Sequence, residues 1–151
     1  MHLVIATAGR WKKGPERDLF EHFAKRITYP LELREIEEKK KLKPAALKAR
    51  EADLLLAQVS AGAVIVALHE GGKTLSSAAF AAKLGNWRDQ ARDVAFLIGG
   101  ADGLDDAVIK RADWVMGLGT MTWPHLLVRG MLTEQIYRAQ CILAGHPYHR
   151  E

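Results

Sequence analysis

The sequence predicts a single α/β domain, residues 1–151, in which helices on both faces cover a parallel β-sheet. Apolar runs of five or six residues lie between glycine or polar turns, as is typical of strands buried on both faces. Segments with apolar residues at helical spacing separate these runs, and such alternation favours parallel strands joined by crossover helices. The length of 151 residues suits one domain with a substantial core.

The first half of the chain has the pattern strand, helix, strand, helix. Leu3–Ala8 is an apolar run that indicates a buried strand, and Leu19–Ile27 has apolar residues at helical spacing. Leu31–Ile36 alternates between apolar and polar residues, which predicts a strand buried mainly on one face. A helix is predicted from about Ala45 to Ser60.

The second half continues the alternation, and Ala63–Leu68 is its clearest buried strand because all six residues are apolar. A turn is predicted at residues 69–72, where two glycines follow a histidine and a glutamate. The remaining predicted elements are a helix from Ser76 or Ser77 to Trp87, a strand at Val94–Ile98, a short helix at Asp105–Arg111, a short strand at Trp114–Met116 and a long helix from Pro124 to about Ala144.

Composition indicates a soluble globular protein of mildly basic character. The chain is 48% hydrophobic and 26% charged, with a net charge of +4 and a pI near 9.3, which permits a nucleic-acid partner without requiring one. Cys141 is the single cysteine and is expected to be a buried apolar residue rather than a reactive thiol. No signal peptide or transmembrane run is recognised, so we expect a cytoplasmic protein with no membrane partner.

Segment 37–43 concentrates charge, with two glutamates and four lysines. It is predicted to be a solvated, exposed connection, and a contact with RNA phosphates is the alternative interpretation.

Leu118–His125, Leu-Gly-Thr-Met-Thr-Trp-Pro-His, is the candidate ligand loop. It follows a strand and precedes the last helix, whose first-turn N–H groups lack partners within the helix and favour a polar ligand. Ligands in parallel sheets bind at the carboxyl ends of strands. The turns after Leu68, Ile98 and Met116 are therefore expected to form one pocket.

Several motifs are near matches that we reject. Gly72-Lys73-Thr74 lacks the first glycine of a phosphate-binding loop, because Ala67 stands at that position. The segment from Gly117 to Thr122 resembles a dinucleotide fingerprint, but the chain ends before a second strand could follow. No Gly-x-Ser-x-Gly motif indicates a hydrolase. Three histidines, His125, His146 and His149, form no convincing metal-ligand pattern, so no metal is expected.

The last helix has two stripes. Val128, Leu132, Ile136, Ala139 and Leu143 form an apolar stripe that could face the core or a partner subunit. His125, Arg129, Thr133 and Tyr137 form a polar ridge that begins at the ligand loop. The ridge is either the solvent side of the helix or a place where Arg129 meets an acidic group such as a phosphate.

The sequence resembles the bacterial ribosomal RNA large subunit methyltransferase H family. The resemblance rests on five segments that occur in order along the chain, and with the flanking residues it covers the whole sequence. These segments are Phe96–Gly103, Met121–His125, Leu127–Arg129, Glu134–Ala139 and Pro147–Arg150.

This resemblance implies a SPOUT-type α/β fold, in which the C-terminal part forms a trefoil knot that binds S-adenosylmethionine. It also implies a homodimer in which two subunits complete each site. The implied reaction is methylation of N3 of a pseudouridine in the helix 69 loop of 23S ribosomal RNA, on the assembled ribosome. A ribosome-associated RNA-binding module with the same fold and no catalysis is the alternative.

Site residues follow from the resemblance, position by position. Those that match the family's cofactor-binding residues are Leu68, Gly99, Gly100, Leu118, Gly119, Thr120, Met121, Thr122 and Trp123. Those that match residues at or near the acceptor are His125, Arg129, Tyr148, His149 and Arg150. Among these, His149 is the candidate for proton handling, Arg129 for electrostatic support and Tyr148 for stacking on or hydrogen bonding to the base.

Three positions depart from the family pattern. Gly117 and Gly119 stand where the family usually has serines, and Leu126 replaces a commonly polar residue. Backbone amides remain available for the cofactor, but serine hydroxyl contacts are lost and the loop gains freedom.

Overall fold

A computed structural model describes residues 1–150, which contain five strands and five helices. The strands are β1 (Leu3–Ala8), β2 (Leu31–Ile36), β3 (Val64–Lys73), β4 (Val94–Ile98) and β5 (Trp114–Met116). The helices are α1 (Pro15–Ala24), α2 (Pro44–Leu56), α3 (Ser77–Asp89), α4 (Asp106–Arg111) and α5 (His125–Leu143). The strands form one sheet in the order β2-β1-β4-β3-β5, and all neighbouring pairs are parallel. The predicted parallel sheet and element order are confirmed.

Helices cover both faces of this sheet, as predicted. Alternate strand residues point to opposite faces, so Ile5 joins a core formed with α1, α3 and α5, whereas Val4 joins a core formed with α2 and α4. Leu132 and Ile136 of α5 belong to the first core and Leu55 of α2 to the second. Each such buried apolar side chain contributes about 1.5–3 kcal/mol to folding.

The predicted turn at residues 69–72 is wrong, because β3 continues to Lys73. The chain bulges between Leu68 and Lys73, and both residues pair with Met116 of β5. The renewed pairing of β3 with β5 after the bulge requires glycine at position 72, where a Cβ would lie 2.6 Å from the carbonyl carbon of Met116. Residues 69–71 are exposed and lack the apolar pattern of a strand, so no periodic pattern indicated the extension.

Helix α5 lies between α1 and α3, and this position buries most of its surface. The apolar stripe packs in the core, with Leu132 and Ile136 fully buried. The polar ridge is also buried at Arg129, Thr133 and Tyr137, so its interpretation as a solvent face is wrong. Helix α1 covers this ridge, and the close approach requires Gly130, where a Cβ would lie 2.8 Å from Leu19.

Neither a membrane-crossing helix nor a metal-ligand cluster occurs in residues 1–150. None of their helices combines the length and the apolar character needed to cross a bilayer. No cluster of three or more His, Cys, Asp or Glu side chains in this part of the chain could hold a metal ion.

Candidate functional site

A cavity of about 690 Å³ lies at the carboxyl edge of the sheet, beside β3, β4 and β5. The segments that follow Leu68, Ile98 and Met116 line it, including Leu68, residues 99–103 and Leu118–Gly119. Met121–His125 complete the wall, and Thr120 is exposed outside the lining. The structure thus brings together the three segments that the sequence pattern assigned to one pocket, although the first of them continues β3 instead of forming a turn.

The ligand loop, most of which lines this cavity, has unused backbone hydrogen-bond donors. Within residues 1–150, none of the backbone N–H groups of residues 118–123 donates a hydrogen bond to another protein group. Helix α5 then begins at His125 without a side-chain cap, which leaves its positive end uncompensated. Gly119 has a φ of +114°, a conformation that L side chains rarely adopt. The loop is therefore suited to a ligand that accepts hydrogen bonds from the backbone.

Side chains of the same loop brace its shape. Thr122 Oγ1 donates to Glu70 Oε2 at 2.7 Å, which joins the loop to the β3 extension that the sequence did not predict. Trp123 Nε1 donates to the carbonyl of Leu118 at 3.2 Å, across the base of the loop. Met121 is 71% exposed and Trp123 40% exposed, so two large apolar groups stand at the cavity mouth.

His125 is half-buried in the cavity wall at the start of α5. Burial lowers the pKa of its imidazole, and the positive charge of Arg129 lowers it further. Both effects favour the neutral form of the ring.

Arg129 is fully buried and does not line the cavity. Its Nη2 donates to the carbonyls of Ala8 and Gly9 at 3.1 and 2.9 Å, and its Nη1 donates to Glu35 at 3.2 Å. The guanidinium also lies 4.8 Å from the ring centre of Trp11. Burial lowers the pKa of Arg129, and Glu35 opposes this effect. The side chain thus holds the β1–α1 connection from within the protein.

The C-terminal residues Tyr148 and His149 dock on the middle of α5, away from the ligand loop. The Tyr148 hydroxyl donates to Glu134 at 3.0 Å, and its ring packs edge-on against Tyr137 with centroids 4.8 Å apart. Burial and this bond to Glu134 both raise the pKa of Tyr148. Arg150 beyond them is exposed.

Arg138 is a part of this tail cluster that the sequence interpretation missed. It pairs with Glu134 one turn earlier, lies over the Tyr148 ring at 4.8 Å and contacts Nδ1 of His149 at 3.2 Å. The i,i+4 spacing of Glu134 and Arg138 is visible in the sequence, but it is equally typical of a solvated ion pair. The role of this ion pair in holding the tail is apparent only from the position of Tyr148 and His149 in the structure.

The predicted site residues therefore lie in two groups at different positions in the structure. His125 lines the cavity, whereas Glu134, which holds the tail, lies nine residues further along α5, or about 13 Å at 1.5 Å per residue. A second cavity of about 530 Å³ lies between these groups, bounded by Glu134 and Met131 on one side and by Met116–Gly119 on the other. The ligand loop is a wall common to both cavities.

Comparison with known families defines the class to which this fold and cavity belong. A family model described as "Predicted SPOUT methyltransferase" matches residues 1–149. The protein is therefore a SPOUT methyltransferase by family.

Curated relatives make the assignment more specific. The ribosomal RNA large subunit methyltransferase H of Rhodospirillum centenum is 59% identical over 151 residues, which cover 99% of each chain. The protein of the same name from Paramagnetospirillum magneticum is 55% identical, also with 99% of each chain covered. The chain belongs to the ribosomal RNA large subunit methyltransferase H family.

Solved structures agree with the fold. A methylase family protein from Neisseria gonorrhoeae aligns with a TM-score of 0.54 at 11% identity, over 98% of this chain and 95% of that one. The SpoU methyltransferase AviRb from Streptomyces viridochromogenes, solved in complex with AdoMet, aligns with a TM-score of 0.51 at 13% identity. That alignment covers 92% of this chain and spans 58% of the AviRb chain. At such identities the likeness concerns the fold alone.

Proposed function

We propose that this protein is an S-adenosylmethionine-dependent methyltransferase that acts on N3 of a pseudouridine in the helix 69 loop of 23S ribosomal RNA, on the assembled ribosome in the cytoplasm. The family membership supports an RNA of the large ribosomal subunit as substrate. The observation that carries the proposal is the cavity at the carboxyl edge, where the ligand loop offers free backbone amides.

The cavity fits S-adenosylmethionine in size and in chemistry. Its volume of about 690 Å³ lies within the usual range for sites of small molecules and cofactors. We assign cofactor binding to the cavity residues Leu68, Gly99, Gly100, Leu118, Gly119, Met121, Thr122 and Trp123, together with Thr120. Only glycine fits at position 99 of the cavity wall, since a Cβ there would lie 2.5 Å from the Gly103 backbone. When bound, S-adenosylmethionine supplies a methyl group on a cationic sulfur, which suits in-line transfer to nitrogen.

On the acceptor side, N3 of the base must lose its proton as it gains the methyl group. We assign this proton to Nδ1 of His149. A guanidinium can only donate hydrogen bonds, so Nδ1 accepts from Arg138 in this structure, and the base must displace that contact before Nδ1 takes the proton. Tyr148 would orient the base through its ring and hydroxyl, and His125 and Arg150 would contact the RNA. Arg129, buried one turn below His125, would contribute through its charge and through the loop that it holds rather than by contact.

The separation of the cavity from the tail cluster supports a homodimer. In a single chain the proposed proton acceptor and the cofactor cavity lie at different positions along α5. Two subunits that pair across α5 would place one subunit's tail at its partner's cavity. We further propose that the whole chain acts as one SPOUT domain, with its C-terminal part in a trefoil knot.

The test is methyl transfer from radiolabelled S-adenosylmethionine to ribosomes from a strain that lacks the modification, followed by location of the labelled nucleotide. Label at N3 of a helix 69 pseudouridine is the expected result. Label elsewhere would refute the proposed target. Bound cofactor without label on any ribosomal RNA would favour a non-catalytic RNA-binding module.

A His149→Ala variant tests the assigned proton acceptor in the same assay. Its methyl transfer should fall by a factor of about 10² or more, because general-base contributions are of that size. Its affinity for the cofactor, measured by calorimetry, should remain close to that of the unmodified protein. Unchanged turnover would remove His149 from the reaction.

A further inference from the structure

Two lysine-rich connections lie at the same sheet edge as the cofactor cavity. The β1–α1 connection contains Lys12 and Lys13, and the β2–α2 connection contains Lys39–Lys41 and Lys43. Because all strands are parallel, both connections leave the carboxyl edge, next to the turns that line the cavity. Lys48 of α2 itself lines the cavity. We call the lysines of segments 10–13 and 37–48 the basic edge.

The charge of the basic edge is not compensated by neighbouring carboxylates. Segments 10–13 and 37–48 contain eight Lys or Arg residues and two glutamates, an excess larger than the +4 of the whole chain. Both glutamates pair with arginines, Glu37 with Arg10 at 3.4 Å and Glu38 with Arg50 at 2.9 Å. In the described residues 1–150, none of the lysines of the basic edge lies within ion-pair distance of a carboxylate.

The backbone beneath these lysines is held in place. Gly9 N donates to Ile36 O at 2.8 Å, so the two connections start from a shared hydrogen bond. Trp11 N donates to Glu35, and Lys40 N donates to Glu38 at 2.9 Å. Helix α2, which follows the second connection, has no acidic residue in its first turn. A row of cations on a fixed backbone at a helix N-terminus suits an extended polyanion.

We propose that the basic edge binds the sugar-phosphate backbone of the ribosomal RNA and guides the target nucleotide to the cavity. This inference rests on the proposed function and specifies its RNA-binding surface. Lysines are point charges that neutralise phosphates without reading sequence. Their distribution over two connections exceeds what a single small anion would need. The exposed Met121 and Trp123 at the adjacent cavity mouth would then face unstacked bases.

The test compares two triple variants of the full-length protein that lose the same charge. Lys39→Gln/Lys40→Gln/Lys41→Gln removes three charges of the basic edge. Lys25→Gln/Lys110→Gln/Arg111→Gln removes three exposed charges at the ends of α1 and α4, at the opposite edge of the sheet. Binding of deproteinised 23S ribosomal RNA is measured by filter retention over a series of salt concentrations, and S-adenosylmethionine binding is measured by calorimetry.

The basic-edge variant should bind the RNA about tenfold to a hundredfold more weakly near 0.1 M salt. Its slope of log K against log salt should be smaller by about 2 to 3, one counterion or slightly less for each lost contact. The control variant should keep the slope and most of the affinity of the unmodified protein. Cofactor affinity should be unchanged in both variants.

Three results would overturn the inference. These are equal RNA binding by the basic-edge variant and the unmodified protein, equal losses in both variants, or a parallel loss of cofactor affinity in the basic-edge variant. A second variant, Lys12→Gln/Lys13→Gln, repeats the test on the other connection. If the unmodified protein binds anionic phosphatidylglycerol vesicles but neither 23S ribosomal RNA nor ribosomes that lack the modification, the RNA substrate of the proposed function fails as well. If only the predicted role of the basic edge is refuted, the proposed function still stands.

Discussion

Arg129 and Glu35 form a 3.2 Å ion pair in which the arginine side chain has no exposed surface and that of the glutamate is 21% exposed. Two further bonds from the same guanidinium reach the carbonyls of Ala8 and Gly9. Helix α5, which begins at the ligand loop, is thereby tied to the ends of β1 and β2, where the basic edge starts. A buried cation with these partners stabilises the relative position of the candidate cavity and the basic edge.

Replacement of this cation should destabilise the protein. Arg129→Met leaves Glu35 and two carbonyls without their donor, and we expect a loss of about 3 kcal/mol in the free energy of unfolding, the low end for a broken buried ion pair. Urea denaturation measures this loss. Glu35→Gln is the matched control, because its side-chain oxygen still accepts from Trp11 and Arg129, and its loss should be smaller. Equal stability of Arg129→Met and the unmodified protein would contradict the structural role.

The contact between β3 and β5 makes a second prediction. Gly72→Ala places a Cβ 2.6–2.9 Å from backbone atoms of Met116 and Gly117, which cannot move aside as a side chain would. We expect a loss of about 2 kcal/mol or more in stability and a loss of S-adenosylmethionine binding, because Gly117 leads into the ligand loop. Thermal denaturation and calorimetry measure the two effects.

Gly71→Ala is the control for that substitution. The nearest atom to its added Cβ is the His69 ring at 3.1 Å, which is an exposed side chain able to rotate. Its cost should stay below about 1 kcal/mol, with cofactor binding retained. Similar effects of the two substitutions would mean that the close approach at position 72 has no special role.

The elements that the sequence predicted best are those whose burial leaves a periodic signal. Leu3–Ala8 and Val94–Ile98 are apolar on both faces, and the structure places them at the predicted bounds in the middle of the sheet. The β3 extension left no such signal, because residues 69–71 are exposed and the pairing of Lys73 with Met116 depends on a glycine and a distant partner. Local sequence patterns therefore predict buried strands, but they do not predict a strand that resumes its pairing after a bulge.

The polar ridge shows the same limit within a helix. Arg129, Thr133 and Tyr137 suggested a solvent face because polar side chains at helical spacing usually meet water. Here Thr133 donates to the Arg129 carbonyl at 2.7 Å, and Arg129 finds acceptors 94 to 121 residues away in the sequence. Partners at such separations are a property of the fold, so no helical pattern could have identified them.

The candidate cavity was predictable because the topology of a parallel sheet brings the carboxyl ends of its strands to one edge. The contacts of the tail were not. Tyr148 and Glu134 are 14 residues apart and meet only because the chain turns back after α5 at Gly145, which has a φ of +68°. A helix end at about Ala144 was predicted, but the direction taken by the chain beyond it was not.

His125 should titrate below the ordinary histidine pKa, because burial and the charge of Arg129 both disfavour its protonated form. A histidine whose pKa is lowered on folding binds its proton more readily in the unfolded chain. The stability that it contributes is thus complete above about pH 6.5 and falls as the pH drops below that value. Histidine NMR titration, with His125→Asn to assign the resonance, measures the pKa directly. A midpoint at or above 6.5 would contradict the described environment.

Tyr148→Phe tests whether the docked tail serves the reaction. The substitution keeps the ring against Tyr137 and Arg138 but removes the hydroxyl that donates to Glu134 at 3.0 Å. Loss of one charge-assisted hydrogen bond of about 1.5 kcal/mol should lower the single-turnover rate roughly tenfold and leave cofactor affinity unchanged. Tyr29→Phe, a tyrosine change away from the tail, should keep the full rate. A Tyr148→Phe rate equal to that of Tyr29→Phe would show that the hydroxyl contact of the tail contributes to packing alone. A bond that acts in the catalytic step lowers the rate when it is lost and leaves cofactor affinity unchanged.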